Sequence, residues 1–353
     1  MQPRLIFWEL TEGCNLKCVH CRATAQPNRN KEELSTEEAY QVIDQIVSLG
    51  DPILILTGGE PLYRPDFYEI ASYALQKGLK VALATNGTLI DQYHARKIKE
   101  IGIKRVSISI DGANKETHDG FRGIPGAFDQ ALEGAKFLQD AGVDVQFNTT
   151  ISKHNVDQIE ELLQLAVDKK AVALHLFMLV PVGCGIQIAE NQMLPSEQYE
   201  EVLAWFSEQS REAPLEIKAT CAPHYYRIIR QKAKERGEKV TFQTHGMAAM
   251  TKGCLAGTGV FFISHKGKVQ PCGYLPVEAG DVKKQTLKEI WNESPVFLKL
   301  RDQESLEGKC SVCEYINVCS GCRARAFYET GNYMAEEPYC IYQPARDKYS
   351  SQK

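Results

Sequence analysis

No run of about 18 apolar residues occurs in the sequence, so no segment reads as a membrane-spanning helix. Its start, MQPRLIFWELTEGC, lacks the charged stretch and long apolar core of a signal peptide. No block of lysine and arginine appears, and a net charge of −4 leaves no footprint for nucleic acid. These absences lead to the expectation of a cytoplasmic protein with neither a membrane nor a nucleic acid as partner. Hydrophobic residues make up 43% and charged residues 24%, the balance of an ordinary globular chain. At 353 residues, either one large domain with a smaller one or two equal domains fits.

Cysteine, by contrast, is abundant: twelve residues, at 14, 18, 21, 184, 221, 254, 272, 310, 313, 319, 322 and 340. A reducing compartment disfavours disulfides, and tight grouping favours metal or cluster ligation. Cys184 and Cys221 stand apart and read as scattered buried thiols.

From residue 4 to about 219, short apolar runs alternate with amphipathic stretches. Strands are predicted at 5–11, 52–57, 80–86, 105–111, 143–151, 173–179 and 215–220, and helices at 36–50, 66–78, 90–102, 125–142 and 155–169. Ser35 with Glu38 forms a capping box, and Gly50, Gly78, Gly102 and Gly142 sit where helices end. Near-continuous apolar strands between helices mean βαβ units on a parallel sheet. The expected fold is α/β: a partial (β/α)6 TIM-like barrel over 1–220, a bridging segment over 221–253, and a small cluster domain over 254–353. That last part is expected to be held by metal more than by core. In such sheets functional groups gather at the carboxyl ends of strands. Those ends carry TEGCNLKC, TGGEP, TNG, SIDG, NTT and VPVG.

CNLKCVHC, residues 14–21, spaces Cys14, Cys18 and Cys21 as Cys-x3-Cys-x2-Cys, and Arg22 follows where a fourth thiol would close the site. Three thiolates suit a [4Fe–4S] cubane bound at three irons, with the fourth iron open to a small molecule. Zinc closed by His20 is the competing reading, but it gives TGGEP, TNG and SIDG no purpose. Each polar residue singly also fits a turn or cap, a reading that fails to account for the set.

With TGGEP, the loop resembles the signature of radical SAM enzymes. The resemblance implies that the open iron binds S-adenosylmethionine, whose one-electron cleavage yields methionine and a hydrogen-abstracting 5′-deoxyadenosyl radical. It further implies that Gly58, Gly59 and Glu60 receive the methionine ammonium and that Arg122 pairs with the carboxylate. Thr85, Asn86, Ser109 and Asp111 would contact ribose and methionyl groups, joined by Asn148 and Thr150. A small ferredoxin- or flavodoxin-type protein would supply electrons.

Cys254 and Cys272 are followed by Cys310-x2-Cys313-x5-Cys319-x2-Cys322 and then Cys340. This pattern resembles the SPASM extension of radical SAM enzymes, although the family's final spacing in the run is x3. Cys310, Cys313, Cys319 and Cys340 would hold one closed auxiliary cluster, a plausible acceptor of electrons. Cys254, Cys272 and Cys322 would begin a second, completed by Cys221 or left open to substrate. A zinc ribbon is the alternative.

RLIFWELTEGCNLKCVHCRATA, ATCAPHYYRIIRQ, GKVQPCGYLPVEAGDV and GCRARAFYETGNYMAEEPYC resemble the haem b synthases of the siroheme-dependent pathway over nearly the whole chain. The sister branch, acting on siroheme or haem d1, carries an amino-terminal extension and a tyrosine where this chain has Arg22. With four residues before its first strand, the chain is expected to lack that extension and the leader-recognition domain of peptide-modifying SPASM enzymes. The implied reaction removes two propionate carboxyls of iron-coproporphyrin III, or a related tetrapyrrole, leaving vinyls. Arg22, Arg227, Arg323 and Arg325 are candidate carboxylate partners. His224 and then His175 are candidate axial ligands, and Tyr225 and Tyr226 are candidate stacking groups, against the blander reading of buried core residues. A peptide-modifying maturase and a non-catalytic iron–sulfur redox sensor are the rival functions.

Overall fold

A computed structural model describes residues 1–345; residues 346–353, the tail of the expected cluster domain, lie outside the described residues. Ten strands form one sheet. They are β1 Leu5–Glu9, β2 Ile53–Thr57, β3 Lys80–Thr85, β4 Arg105–Ser109, β5 Asp144–Ile151, β6 Ala173–Met178, β7 Glu216–Thr220, β8 Val260–Ile263, β9 Lys268–Gln270 and β10 Gly280–Asp281. Their order is β10-β9-β8-β1-β2-β3-β4-β5-β6-β7. Strands β1 to β7 pair in parallel, as does β8 with β1, while β9 and β10 run antiparallel to their neighbours.

The helices are α1 Thr36–Ser48, α2 Phe67–Gln76, α3 Gln92–Ile101, α4 Lys115–Arg122, α5 Ala127–Asp140, α6 Ile159–Asp168 and α7 Gly185–Gln192. There follow α8 Ser196–Glu212, α9 His224–Glu235, α10 Phe242–His245, α11 Leu287–Glu293, α12 Pro295–Arg301, α13 Gly308–Val312 and α14 Arg323–Thr330. Ser35 and Glu38 form both halves of the predicted capping box on α1. Gly102 ends α3 with φ at +99°, a left-handed conformation that side chains disfavour.

Strands β1 to β7 follow chain order without reversal. A doubly wound sheet reverses at a switch point; an unreversed run with right-handed crossovers places its helices on one face, as in a barrel wall. Arg105 on β4 and Glu216 on β7 stand three strands apart, about 14 Å on a flat sheet at ordinary strand spacing. Their side chains meet at 3.1 Å, so the wall curls toward its helix-free face. Ile6, Trp8, Leu54, Leu56, Leu83, Val106, Ile108, Phe147 and Leu176 are fully buried beneath the helices, each contributing about 2 kcal/mol. The opposite parity presents Glu9, Ser107, Ser109, Gln146, Asn148, His175 and Lys218 to the helix-free face.

Two expectations change. The part after residue 254 is not held by metal more than by core: β8 pairs with β1 from Leu5↔Val260 to Trp8↔Ile263. Phe261 packs on Trp291 and Phe297 inside the core shared with the first seven strands. In addition, α4 was not among the predicted helices. Its eight residues are mostly polar, yet Asn114 caps it and His118, Phe121 and Arg122 form a buried face.

Candidate cluster and cofactor site

After β1 the chain turns through Thr11–Gly13 into the cysteine loop. Gly59 N donates to Thr11 O at 2.7 Å and Glu60 N to Gly13 O at 2.8 Å, stitching TGGEP to that turn. A Cβ on Gly59 would lie 2.4 Å from Gly13 O, and one on Gly58 would lie 2.8 Å from Thr11 O. Only glycine allows this approach. Glu60 is fully buried and accepts from Thr85 Oγ1 at 2.7 Å, Asn86 N at 2.8 Å and Leu62 N at 3.2 Å. Burial pushes its carboxyl upward. Glu60 therefore fixes the TNG turn after β3, and both of its oxygens are already occupied by the chain's own donors.

Cys14, Cys18 and Cys21 are grouped closely enough for their charges to couple. Burial pushes Cys14 up to about 12, with Glu60 and the other two thiols adding to it. Burial also pushes Cys18 upward, more than Arg122 lowers it. Such thiols ionise when a cation replaces the proton. Donors already face the sulfurs: Leu16 N to Cys14 and Ala25 N to Cys21, both at 3.4 Å. Arg122 Nη1 stands 3.7 Å from Cys18 Sγ, and Asn86 Nδ2 stands 3.9 Å from Cys14 Sγ. This donor set fits an iron–sulfur cluster. His20 does not join it, because its ring stacks on Phe121 at 4.0 Å and its Nε2 lies 3.2 Å from Asp111. Among the described residues no three Cys, His, Asp or Glu side chains are close enough to share one ion, whereas a cubane holds one thiolate per iron, spaced further apart.

Asp111 is fully buried and takes Arg122 at 2.5 Å and Thr150 N at 2.7 Å. Burial alone would raise its pKa, but Arg122 and His20 outweigh burial and hold it well below the usual carboxylate range. Asp111 thus positions Arg122 against Cys18. Ser109 and Asn148 lie side by side in register near the ends of β4 and β5. Cys184, expected to be an isolated thiol, instead abuts the loop: its N donates to Cys21 O at 2.8 Å.

Cys310, Cys313, Cys319 and Cys340 line one recess together with His224, Arg227 and Glu337. Glu337 N and Tyr315 N donate to Cys310 and Cys313 Sγ at 3.4 Å. Cys221 and Cys272 pack on Cys322 in a second cluster. Burial and then Cys254 push Cys272 up to about 12, and burial, Cys322 and Cys272 raise Cys221. Cys221 itself adopts φ of +54°, rare for a residue with a side chain and characteristic of functional positions. The structure therefore brings Cys221 to Cys254, Cys272 and Cys322, a second set of four thiols.

Most of the expected substrate contacts are placed elsewhere. His224 is fully buried, 5.1 Å from the Tyr199 ring and 3.8 Å from Glu337, and burial lowers it to about 3. It faces the Cys310 recess beside Arg227 and Glu337 and is buried there by the chain itself. Tyr225 and Tyr226 are core residues, packed edge to face at 5.6 Å. Arg22 pairs with Glu9 at 2.5 Å and lies over Phe262. Arg227 grips Glu200 at 2.7 and 2.6 Å. Arg325 grips Glu337 at 2.9 Å and Cys221 O at 2.6 Å. Arg323 donates to Tyr333 O and Ala335 O. All four arginines are engaged by the chain itself. His175 alone stays on the helix-free face, beside Gln146 and Lys218, two residues that sequence reasoning missed. Their signal was the polar parity of VQFNTT and EIKAT.

A three-thiol loop at the end of the first strand of an unreversed parallel sheet, backed by two four-thiol sets, defines a class: iron–sulfur enzymes that carry out radical chemistry. The chain belongs to the radical SAM superfamily, which residues 8–166 match, while residues 254–323 match SPASM, an iron–sulfur cluster-binding domain. It is an enzyme whose cofactors are [4Fe–4S] clusters and S-adenosylmethionine. Within the superfamily it is 54% identical to an AdoMet-dependent heme synthase of Methanosarcina barkeri, over 98% of each chain. A protein of the same name from Oleidesulfovibrio alaskensis is 49% identical over 99% of this chain and 90% of its own. A pre-heme d1 synthase of Dinoroseobacter shibae is 34% identical over 95% and 85%. Streptococcus suis SuiB bound to S-adenosylmethionine superposes with a TM-score of 0.77 over 97% of this chain and 78% of its own. At 18% identity, that match speaks for the fold alone. Among the described residues no helix is long and apolar enough to cross a membrane.

Proposed function

We propose that this enzyme makes haem b by oxidatively decarboxylating two propionates of iron-coproporphyrin III to vinyls. The observation that carries the reading is the likeness at about half identity to haem synthases along nearly the full length of each chain. Cys14, Cys18 and Cys21 would hold the cluster that binds S-adenosylmethionine, with Asn86 and Arg122 donating toward its sulfurs. Cys310, Cys313, Cys319 and Cys340 would hold one auxiliary cluster, and Cys221, Cys254, Cys272 and Cys322 a second. Gly58, Gly59, Ser109 and Asn148 remain candidate cofactor contacts, and residues 1–220, 221–253 and 254–353 would serve as barrel, bridge and cluster-bearing extension.

When bound, a cluster with one open iron supplies the electron that cleaves S-adenosylmethionine to methionine and a 5′-deoxyadenosyl radical. Each round then removes one hydrogen atom from a propionate β-carbon. The carbon radical expels CO2 and releases one electron as the vinyl forms, so one electron enters and one leaves per vinyl. A small ferredoxin- or flavodoxin-type donor fits the starting electron. The likeness to a pre-haem d1 synthase at 34% identity supports tetrapyrrole modification as a class, and peptide-modifying relatives such as a mycofactocin maturase stand lower, at 29% identity over 96% of this chain.

Anaerobic incubation of the reconstituted enzyme with S-adenosylmethionine, reductant and iron-coproporphyrin III tests the reading by mass analysis. A loss of two CO2 and four hydrogen atoms per tetrapyrrole is the expected result; an unchanged tetrapyrrole beside abundant 5′-deoxyadenosine refutes it.

A further inference from the structure

On the helix-free face, parallel register sets Asn148, His175 and Lys218 directly beside one another on β5, β6 and β7. The amide nitrogen of Gln146 reaches Asn148 Oδ1 at 2.7 Å and His175 Nδ1 at 2.9 Å. That amide nitrogen donates, so His175 Nδ1 accepts and the ring hydrogen sits on Nε2. His175 Nε2 is buried and has no partner among the described residues. In that tautomer Nε2 offers its hydrogen to an anion.

The neighbouring ammonium of Lys218 has neither a hydrogen bond nor an ion pair among the described residues. Glu216, the nearest carboxylate along its own strand, already pairs with Arg105 at 3.1 Å. Burial, with Arg4 adding to it against Glu216, holds the ammonium below its ordinary range. Burial and then the charges of Lys218 and Arg105 keep His175 neutral, down to about 3. Half-buried cations without an anion cost stability, and a chain that keeps one is organised for an anion that arrives later.

We propose that Lys218 and the Nε2–H of His175 form the receptor for one propionate of the substrate, and that this propionate is one of the two the reaction retains. The proposal rests on the tetrapyrrole reading above. A carboxylate clamped by an ammonium and a ring N–H is stabilised in the ground state and resists leaving as CO2. A retained carboxylate suffers no such penalty and orients the ring from its far edge.

The test is titration of cluster-loaded enzyme, without S-adenosylmethionine, with iron-coproporphyrin III and separately with haem b, read by the Soret band. Lys218→Met is expected to weaken both ligands by about tenfold or more. Lys218→Arg should restore most of that affinity, and thermal unfolding of the methionine variant should occur at or above the wild-type temperature. Unchanged affinity in Lys218→Met, or a lowered unfolding temperature with affinity intact, overturns the receptor. Weakened iron-coproporphyrin III with unaffected haem b overturns the retained assignment. Wild-type enzyme that binds neither tetrapyrrole refutes the substrate reading itself.

Discussion

At the scale of single residues, Gly59 and Cys221 carry the most specific consequences. Gly59→Ala pushes a methyl group to 2.4 Å from Gly13 O, against backbone that cannot swing away. Iron analysis of that variant should show loss of about four irons per chain, one cubane, with the remaining iron retained. Cys221→Ala should lose a similar amount while Cys184→Ala leaves iron unchanged, because Cys184 joins the first loop through its backbone N–H to Cys21 O and its thiol is engaged by Thr24. If Cys221→Ala keeps its full iron content, the second four-thiol set is wrong. Glu60→Gln aims an amide NH2 toward one of the donors from Thr85, Leu62 or Asn86. A loss of about 1–3 kcal/mol in unfolding free energy is expected, and an unchanged value would show that Glu60 is free. The cysteine spacings made the ligands readable, since thiolate ligation is written locally. The occupied state of Glu60 and of the four arginines was not legible, because most of their partners lie 10 to 27 residues away or further.

Among the elements, the seven parallel strands were predicted to within two residues at either end, because alternating burial and helix caps are local signals. Strand β8 escaped. VFFI is a four-residue apolar run whose meaning depends on β1, some 250 residues earlier, and nothing near it in sequence reports that pairing. Because β8 completes the sheet through the core that Phe261 shares with Trp291 and Phe297, both halves of the chain should unfold together. Calorimetry of Phe261→Ala should show the whole transition shifted downward, by about 3–5 kcal/mol in stability. A separate early transition confined to the carboxyl-terminal part would contradict this.

For the whole molecule, three thiol sets predict about 12 irons per chain, four to each. Replacing Cys14, Cys18 and Cys21 together by alanine should lower that to about eight and abolish cleavage of S-adenosylmethionine, while the two auxiliary sets persist. The helix-free face is where sequence and structure part most. His175 was visible as a histidine on a strand, but its role follows from Gln146 and Lys218 on two neighbouring strands, a relation that only the register provides. Iron-coproporphyrin III deuterated at the propionate β-carbons offers the most direct test of the central claim. The account predicts one deuterium transferred to 5′-deoxyadenosine for every vinyl formed, in equal amounts. Vinyl formation with deuterium-free 5′-deoxyadenosine would contradict it.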